Sequence, residues 1–230
     1  MKKLPINFTQ NQKYDHQTKL IINKVCSSNS NCIDVGCHKG EVMDIFIQRA
    51  QNGVHYGFEP IPVLYEYLLN KYEGKAITIK DIALSNVKQK STFNYVVTNP
   101  SYSGLIKRQY DKKNEIDQKI TVQCDKLDDV LPPDYKVDFI KIDVEGGELR
   151  VLEGAVETIK KNKPVIIFEH GLGAAEFYDS TPLKIYDLLT KLGLKISTME
   201  GWLKAKKEFS FEEFDRQFYQ KVNYYFIAYP

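Results

Sequence analysis

Acidic side chains recur at matching places along this sequence: Asp34 in "IDVGCHKG", Glu59 in "VHYGFEPIP", Asp81 in "AITIKDIALS", Asp143 and Glu145 in "VDFIKIDVEGGELRVLEGA", and Glu169 beside His170 in "PVIIFEHG". Each stands in or just beyond a short apolar run. Carboxylates and an imidazole can take a proton from a hydroxyl, hold hydroxyl groups of a ligand, or bind a cation. A lone loop aspartate is more often a cap or a turn residue. Acids at five successive strand ends mark one shared edge. Glycines follow several of them, at Gly36, Gly40, Gly146 and Gly147, where a backbone must turn or approach a ligand closely.

The elements around these residues alternate in period. "NCIDVG", "VHYGFE", "AITIKDIALS", "DFIKIDV" and "PVIIFEH" read as buried strands. "EVMDIFIQRAQ", "VLYEYLLNKY", "GELRVLEGAVETIKKN" and "TPLKIYDLLTKLG" read as helices between them, the last closed by Gly193. "STFNYVV" and "KITVQC" are antiparallel or edge strands flanking a long polar loop, Thr98–Gln118. "LKISTM" and "NYYFIAY" form a closing strand pair, and Ser210 with Glu213 begins a short helix between them. Strands alternating with helices give a mostly parallel sheet covered on both faces, an α/β three-layer fold. Ligands in such sheets bind beyond the carboxyl ends of the strands. Residues 1–30, with "YDHQTKLIINKV", form an N-terminal helical extension, and 31–230 a single domain.

The first strand ends at Asp34, where a dinucleotide-binding turn would place the first glycine of G-x-G-x-x-G. An acid there repels a pyrophosphate and favours a cationic or amino-bearing ligand. Glu59, nineteen positions beyond Gly40, suits the ribose of a nucleoside, since an ionised carboxylate takes two hydroxyl donors at once. A nucleoside with a positive tail and no phosphates, such as S-adenosylmethionine, fits both.

"IDVGCHKG", "GFEPIP", "DIALS", "DFIKIDVEGGELRVLEGA" and "VIIFEHG", in this order, resemble the FkbM family of S-adenosylmethionine-dependent methyltransferases from roughly Asn31 to Gly171. The resemblance implies a Rossmann-like class I methyltransferase sheet of seven strands, mostly parallel with the last antiparallel. It implies O-methylation of a hydroxyl on a sugar, glycan or related small molecule. It places Asp34, Val35, Gly36, His38 and Gly40 on the methionine and ribose side of the cofactor. Glu59 and Pro60 fall at the ribose, Asp81, Ile82 and Ala83 at the adenine, and Asp143 either near the methyl group or on the cofactor's amino group. Cys37 and His38 depart from the Ala-Asn often found there, so contacts near the methionine tail should differ.

The candidates for the base that takes the hydroxyl proton are Asp143, Glu145, Glu169 and His170. Asp143, Glu169 and His170 are also a candidate set for a divalent metal. Lys141, inside the central strand, needs a partner that the sequence does not name. The acceptor should meet the N-terminal segment, the loop Thr98–Gln118 and the stretch after His170. There Tyr102, Tyr110, Phe177 and Tyr178 can stack on a sugar ring, and Lys107, Arg108, Lys112 and Lys113 can meet an anion.

Composition narrows the alternatives. The 230 residues carry a net charge of +2, which is no nucleic-acid footprint and weighs against a ribose methyltransferase acting on nucleic acid. A non-catalytic nucleotide-binding module would have no need of the base candidates. No apolar stretch approaches the roughly 18 residues that span a bilayer, and "MKKLPINFTQNQ" lacks the apolar core of a signal peptide. Cys26, Cys32, Cys37 and Cys124 form no CxxC pair, which points to reduced thiols in a cytoplasmic protein.

Overall fold

The computed structural model describes residues 9–110 and 114–230. Among the described residues, ten strands follow one another: β1 (Cys32–Val35), β2 (His55–Phe58), β3 (Ile77–Lys80), β4 (Ile82–Leu84), β5 (Gln89–Val96), β6 (Asp117–Asp125), β7 (Phe139–Ile142), β8 (Val165–Glu169), β9 (Lys195–Thr198) and β10 (Tyr225–Tyr229). The helices are α1 (Gln10–Val25), α2 (Glu41–Arg49), α3 (Pro62–Lys71), α4 (Leu127–Val130), α5 (Glu148–Glu153), α6 (Val156–Asn162), α7 (Pro182–Lys191), α8 (Met199–Leu203) and α9 (Phe211–Tyr219).

Seven strands form the main sheet in the order β3-β2-β1-β7-β8-β10-β9. All its pairings are parallel except those of β10, which runs antiparallel to both β8 and β9. The expected seven-stranded, three-layer sheet with an antiparallel last strand is therefore present. The chain winds outward from β1 to β3, then returns to the other side of β1 with β7. A crevice opens where the order reverses, beyond the carboxyl ends of β1 and β7.

Every residue of β1, β2 and β7 is buried, so these strands read as continuous apolar runs. Side chains alternate between two cores. Ile140 and Ile142 join Leu152, Phe168 and Phe226 on one face, while Phe139 joins Phe46, Met43 and Ile167 on the other. Each large apolar side chain removed from water contributes about 1.5–3 kcal/mol. Helix α1 belongs to the second core through Ile21 and Ile22. Lys141 shares the face of Phe139 by the period of two, and the parallel register sets it beside Asp34. That is the partner the sequence left open.

Three expectations need correction. "AITIKDIALS" is not one strand. It divides at Asp81, because Lys80 pairs with Phe58 in the main sheet while Ile82–Leu84 pairs with Gln123–Asp125 in a separate sheet of order β4-β6-β5. The helix after β7 is two helices. A Cβ on Gly154 would stand 2.1 Å from the Ser85 carbonyl oxygen, so the chain bends where it meets that backbone. Helix α6 restarts with its first N–H groups donating to Asp128, at 3.0 Å from Glu157 and 2.8 Å from Thr158. The opening helix begins earlier than its apolar pattern, at a capping box of Thr9 and Gln12. The paired strands β5 and β6, the pairing of β9 with β10, and the Ser210–Glu213 capping box all appear as expected. Among the described residues, no helix is long and apolar enough to cross a membrane.

Candidate active site

The crevice holds a cavity of about 490 Å³, within the roughly 300–1,000 Å³ usual for small-molecule sites. The first acid, Asp34, is 1% exposed, and among the described residues neither of its carboxylate oxygens receives a hydrogen bond. Lys141 Nζ stands 3.8 Å from Oδ1. Burial pushes the Asp34 carboxyl up to about 6, against the pull of Lys141. An uncompensated buried carboxylate is costly, and it faces the cavity.

The turn after β1 is shaped to leave that space open. Gly36 has φ +79°, and a Cβ there would lie 1.9 Å from the Asp143 carbonyl oxygen. No side chain fits between β1 and β7 at this level. Glu59 bridges the turns after β1 and β2, accepting from His38 N at 2.8 Å and from Ile61 N at 3.0 Å. Each oxygen keeps a lone pair for a further donor. Burial pushes Glu59 up to about 7 despite these two hydrogen bonds.

Asp34, Val35, Gly36, His38, Glu59, Pro60, Ile82, Ala83, Asp143 and Glu145 all line this cavity. Two expected residues do not. Gly40 is the left-handed residue that opens α2, packed against the Tyr72 hydroxyl. Asp81 is exposed at the crossing between the two sheets. Tyr14, Asp15 and Thr18 of α1 also line the cavity.

A second cavity of about 640 Å³ meets the first at Ser101 and Glu145. It is lined by the aromatic rings of Tyr102, Tyr110, Phe177 and Tyr224, and by Glu169. Tyr178, expected to face the acceptor, lines the first cavity rather than the second and is largely buried. Its hydroxyl accepts from Ile106 N at 2.9 Å and so anchors the loop between β5 and β6. Lys112 and Lys113 lie outside the described residues, as does most of the segment before α1.

At the junction, oxygens of Asp143, Glu145 and Glu169 lie within 4.8 Å of one another. The three acids have different supports. Lys141 Nζ is 3.1 Å from Asp143, and Tyr225 donates its hydroxyl proton to the same carboxylate. Burial works to raise Asp143, but Lys141, Tyr225 and a hydrogen bond from Glu169 outweigh it and hold Asp143 below the usual range. Glu169 is pushed well above that range by burial and then by Asp143 and Glu145. Of the two, Glu169 is the one that favours the proton. Glu145 pairs with Arg108. Burial and then Asp143 push Glu145 up to about 8, and Arg108 opposes them.

Glu148, which the sequence reading passed over, takes the part of the first-turn carboxylate. Its Oε1 accepts from Val144 N at 2.9 Å and Gly146 N at 3.2 Å, closing the turn into α5. Gly146 is needed there, with φ +103° and the Ala174 carbonyl oxygen 2.5 Å from where a Cβ would stand. Glu145 is thus left to face the cavities.

His170 is not part of the cluster. It is fully buried, and its ring stacks on Phe218 at 4.4 Å and on Phe214 at 5.8 Å. Among the described residues neither ring nitrogen has a hydrogen-bond partner, and burial pushes the imidazole down to about 3. It can serve neither as a base at neutral pH nor as a metal ligand beside Asp143 and Glu169. The remaining acids fit a divalent ion poorly. Lys141 and Arg108 already lie against Asp143 and Glu145 and occupy oxygens that an ion would need.

A family model described as the methyltransferase FkbM domain matches residues 34–196. The chain belongs to the FkbM methyltransferase family. No curated protein matches the sequence closely enough to compare. An FkbM methyltransferase of Methylobacillus flagellatus KT superposes with a TM-score of 0.55 at 18% identity, over 89% of this chain and 44% of that one. This FkbM chain thus spans less than half of that structure, and the likeness shows a shared fold. A precorrin-6y C5,15-methyltransferase of Geobacter metallireducens gives a TM-score of 0.46 at 15% identity, over 85% of this chain and 77% of that one. A TehB-like methyltransferase of Corynebacterium glutamicum gives 0.46 at 11%, over 92% and 85%.

Membership of the FkbM family implies S-adenosylmethionine as methyl donor, and the residues fit it. Asp34 offers a buried carboxylate without a hydrogen bond for an ammonium group, and Glu59 has lone pairs for ribose hydroxyls. Ile82 and Ala83 present an apolar wall for a base.

Tyr225 and Lys141 are the residues against Asp143 that the sequence reading missed or left unassigned. Tyr225 lies in "NYYFIAY", and only the pairing of Tyr225 with Glu169 across β10 and β8 brings it to Asp143.

Proposed function

We propose that this FkbM protein transfers the methyl group to a hydroxyl of a sugar, a glycan or a related small molecule, with Glu145 as the base. When bound, S-adenosylmethionine supplies a methyl group on a sulfonium, already a good leaving system. Asp34 would hold its amino end and Glu59 its ribose. Asp143, fixed as an anion by Lys141 and Tyr225, borders the place where the methyl group must face the acceptor. The Glu145 carboxylate would take the proton that the acceptor hydroxyl gives up as its oxygen gains the methyl group. The protein's main tasks are alignment and a place for that proton.

The observation that carries this reading is the position of Glu145, in the walls of both cavities at once. Rings at the sides of the second cavity suit the faces of a sugar. Its charges are mixed, with Arg108 and Lys221 against Glu145, Glu169 and Glu176. That balance suits a neutral polyol better than a nucleic-acid backbone. The four buried, unpaired cysteines are consistent with a reducing cytoplasm.

The test is turnover, read as release of S-adenosylhomocysteine with a panel of free sugars and oligosaccharides as acceptors. Glu145→Gln should lower kcat by about 100-fold or more, the usual worth of a positioned base, while S-adenosylhomocysteine still binds. Full turnover by Glu145→Gln would remove Glu145 from the chemistry.

A further inference from the structure

The loop between β5 and β6 roofs both cavities. Pro100, Ser103 and Leu105 line the first, Tyr102 and Arg108 the second, and Ser101 both. Its backbone is pinned at three places. Asn94 and Gly104 exchange backbone hydrogen bonds of 2.8 and 3.1 Å. Ile106 donates to the Tyr178 hydroxyl, and Tyr110 lies between Asn94 and Asp117. Arg108 projects inward between the last two pins. Its guanidinium lies 4.8 Å from the centre of the Tyr102 ring and pairs with the Glu145 carboxylate, and its side chain is only 14% exposed. A surface ion pair would be worth little. This arginine is stacked, buried and tied to one carboxylate, a geometry that suits its planar fork.

Glu145 needs such a partner. Among the described residues, the groups that act on it from the packed elements are acids or neutral hydroxyls apart from Arg108. They are Asp143 at the end of β7, Glu148 on α5, Glu169 on β8, Tyr178 in the turn after β8, and Tyr225 on β10. Lys141 is turned toward Asp143 and Asp34. Glu145 is also held with φ +57°, a strained backbone for a residue with a side chain, so its direction is set by the fold.

We infer that Arg108 is a positioning residue for methyl transfer: from the loop that roofs both cavities, it aims the Glu145 carboxylate at their junction and favours its ionised form, the form that takes the acceptor's proton. The inference rests on Glu145 being the base. It adds a residue that touches neither the reacting methyl nor the departing sulfur, and it makes the loop part of the proton chemistry as well as a wall.

The test needs no acceptor. The full chain is labelled with carboxyl-¹³C glutamate, the Glu145 resonance is assigned by its loss in Glu145→Gln, and its titration is followed from acid to alkaline pH. Wild type should titrate at about 8, where burial and Asp143 hold Glu145 against the pull of Arg108. Arg108→Gln should move that midpoint upward by about one unit or more, and Arg108→Lys should restore part of the shift, the expectation for a lost cation beside a carboxylate. Calorimetry with S-adenosylhomocysteine accompanies each variant, because Arg108 does not line the first cavity. Variants that bind S-adenosylhomocysteine as wild type does, with the Glu145 midpoint unmoved, overturn the inference. Wild type that binds no S-adenosylhomocysteine overturns the reading on which the inference rests.

Discussion

Replacing His170 by phenylalanine tests whether this residue is structure rather than catalyst. The ring would stay in the stack with Phe218 and Phe214, while two buried nitrogens without partners would go. The effect should depend on pH in a calculable way. In the folded protein the imidazole is pushed down to about 3; in the unfolded chain it titrates near 6.5. The unfolded state therefore binds a proton that the folded state refuses, and folding stability is lost as pH falls below about 6.5. At pH 5 the loss is about 2 kcal/mol, set almost wholly by the unfolded value, and it grows by about 1.4 kcal/mol per further pH unit until the folded value is reached.

Asp34, Glu59 and Glu148 have raised pKa values and act in the opposite sense, contributing stability at low pH that is lost as pH rises. They are common to both proteins and cancel in the difference. Urea unfolding of wild type and His170→Phe at pH 7.5 and pH 5 is the assay. A constant packing offset is allowed. The gap between the two proteins should widen in favour of the variant by about 2 kcal/mol at pH 5, or about 4–8 °C in melting temperature for a domain of this size. A gap that is the same at both pH values would refute the reasoning, as would loss of S-adenosylhomocysteine binding by a variant that folds.

Other perturbations reach the cofactor side. Glu59→Ala should weaken S-adenosylhomocysteine binding by about 100-fold, the loss of two charge-assisted hydrogen bonds at about 1.5 kcal/mol each, as read by calorimetry. Because Asp34 and Glu59 are raised to about 6 and about 7, and the ligand favours their ionised forms, affinity should climb from pH 5 to pH 8. A flat profile would contradict those roles. Gly36→Ala puts a side chain into left-handed backbone, which costs about 1–2 kcal/mol, and forces it against a carbonyl oxygen of β7's end. A fall of about 6 °C or more in melting temperature is expected, together with loss of binding.

The sequence displayed the acids because strand tips in a parallel sheet are local features. An apolar run followed by a carboxylate and glycine needs no knowledge of the partner strands. Asp34, Glu59, Asp143, Glu145 and Glu169 were legible for that reason. Which of them carries a charge, a proton or a cation was not legible, since that depends on neighbours from distant segments: Lys141 across the β1–β7 register, Arg108 from a loop, and Tyr225 from β10. His170 shows the same limit from the other side. It sits next to Glu169 in sequence, but successive residues on an extended chain point opposite ways, and its ring enters the aromatic core. The division of "AITIKDIALS" was hidden because both halves are equally apolar, and only their different partners in space separate them.

Strand β10 enters the sheet between β8 and β9, although it follows both in the chain. Until it arrives, β8 and β9 each present an unpaired edge, and Asp143 lacks the hydroxyl that Tyr225 brings. Closure must therefore be a late event built on contacts of long sequence separation, which makes folding slow and leaves open edges exposed to misassembly meanwhile. The halves of the sheet that form the nucleoside wall can assemble first, while the methyl-transfer end matures last. A nucleoside ligand that prefers the closed form would then favour that last step.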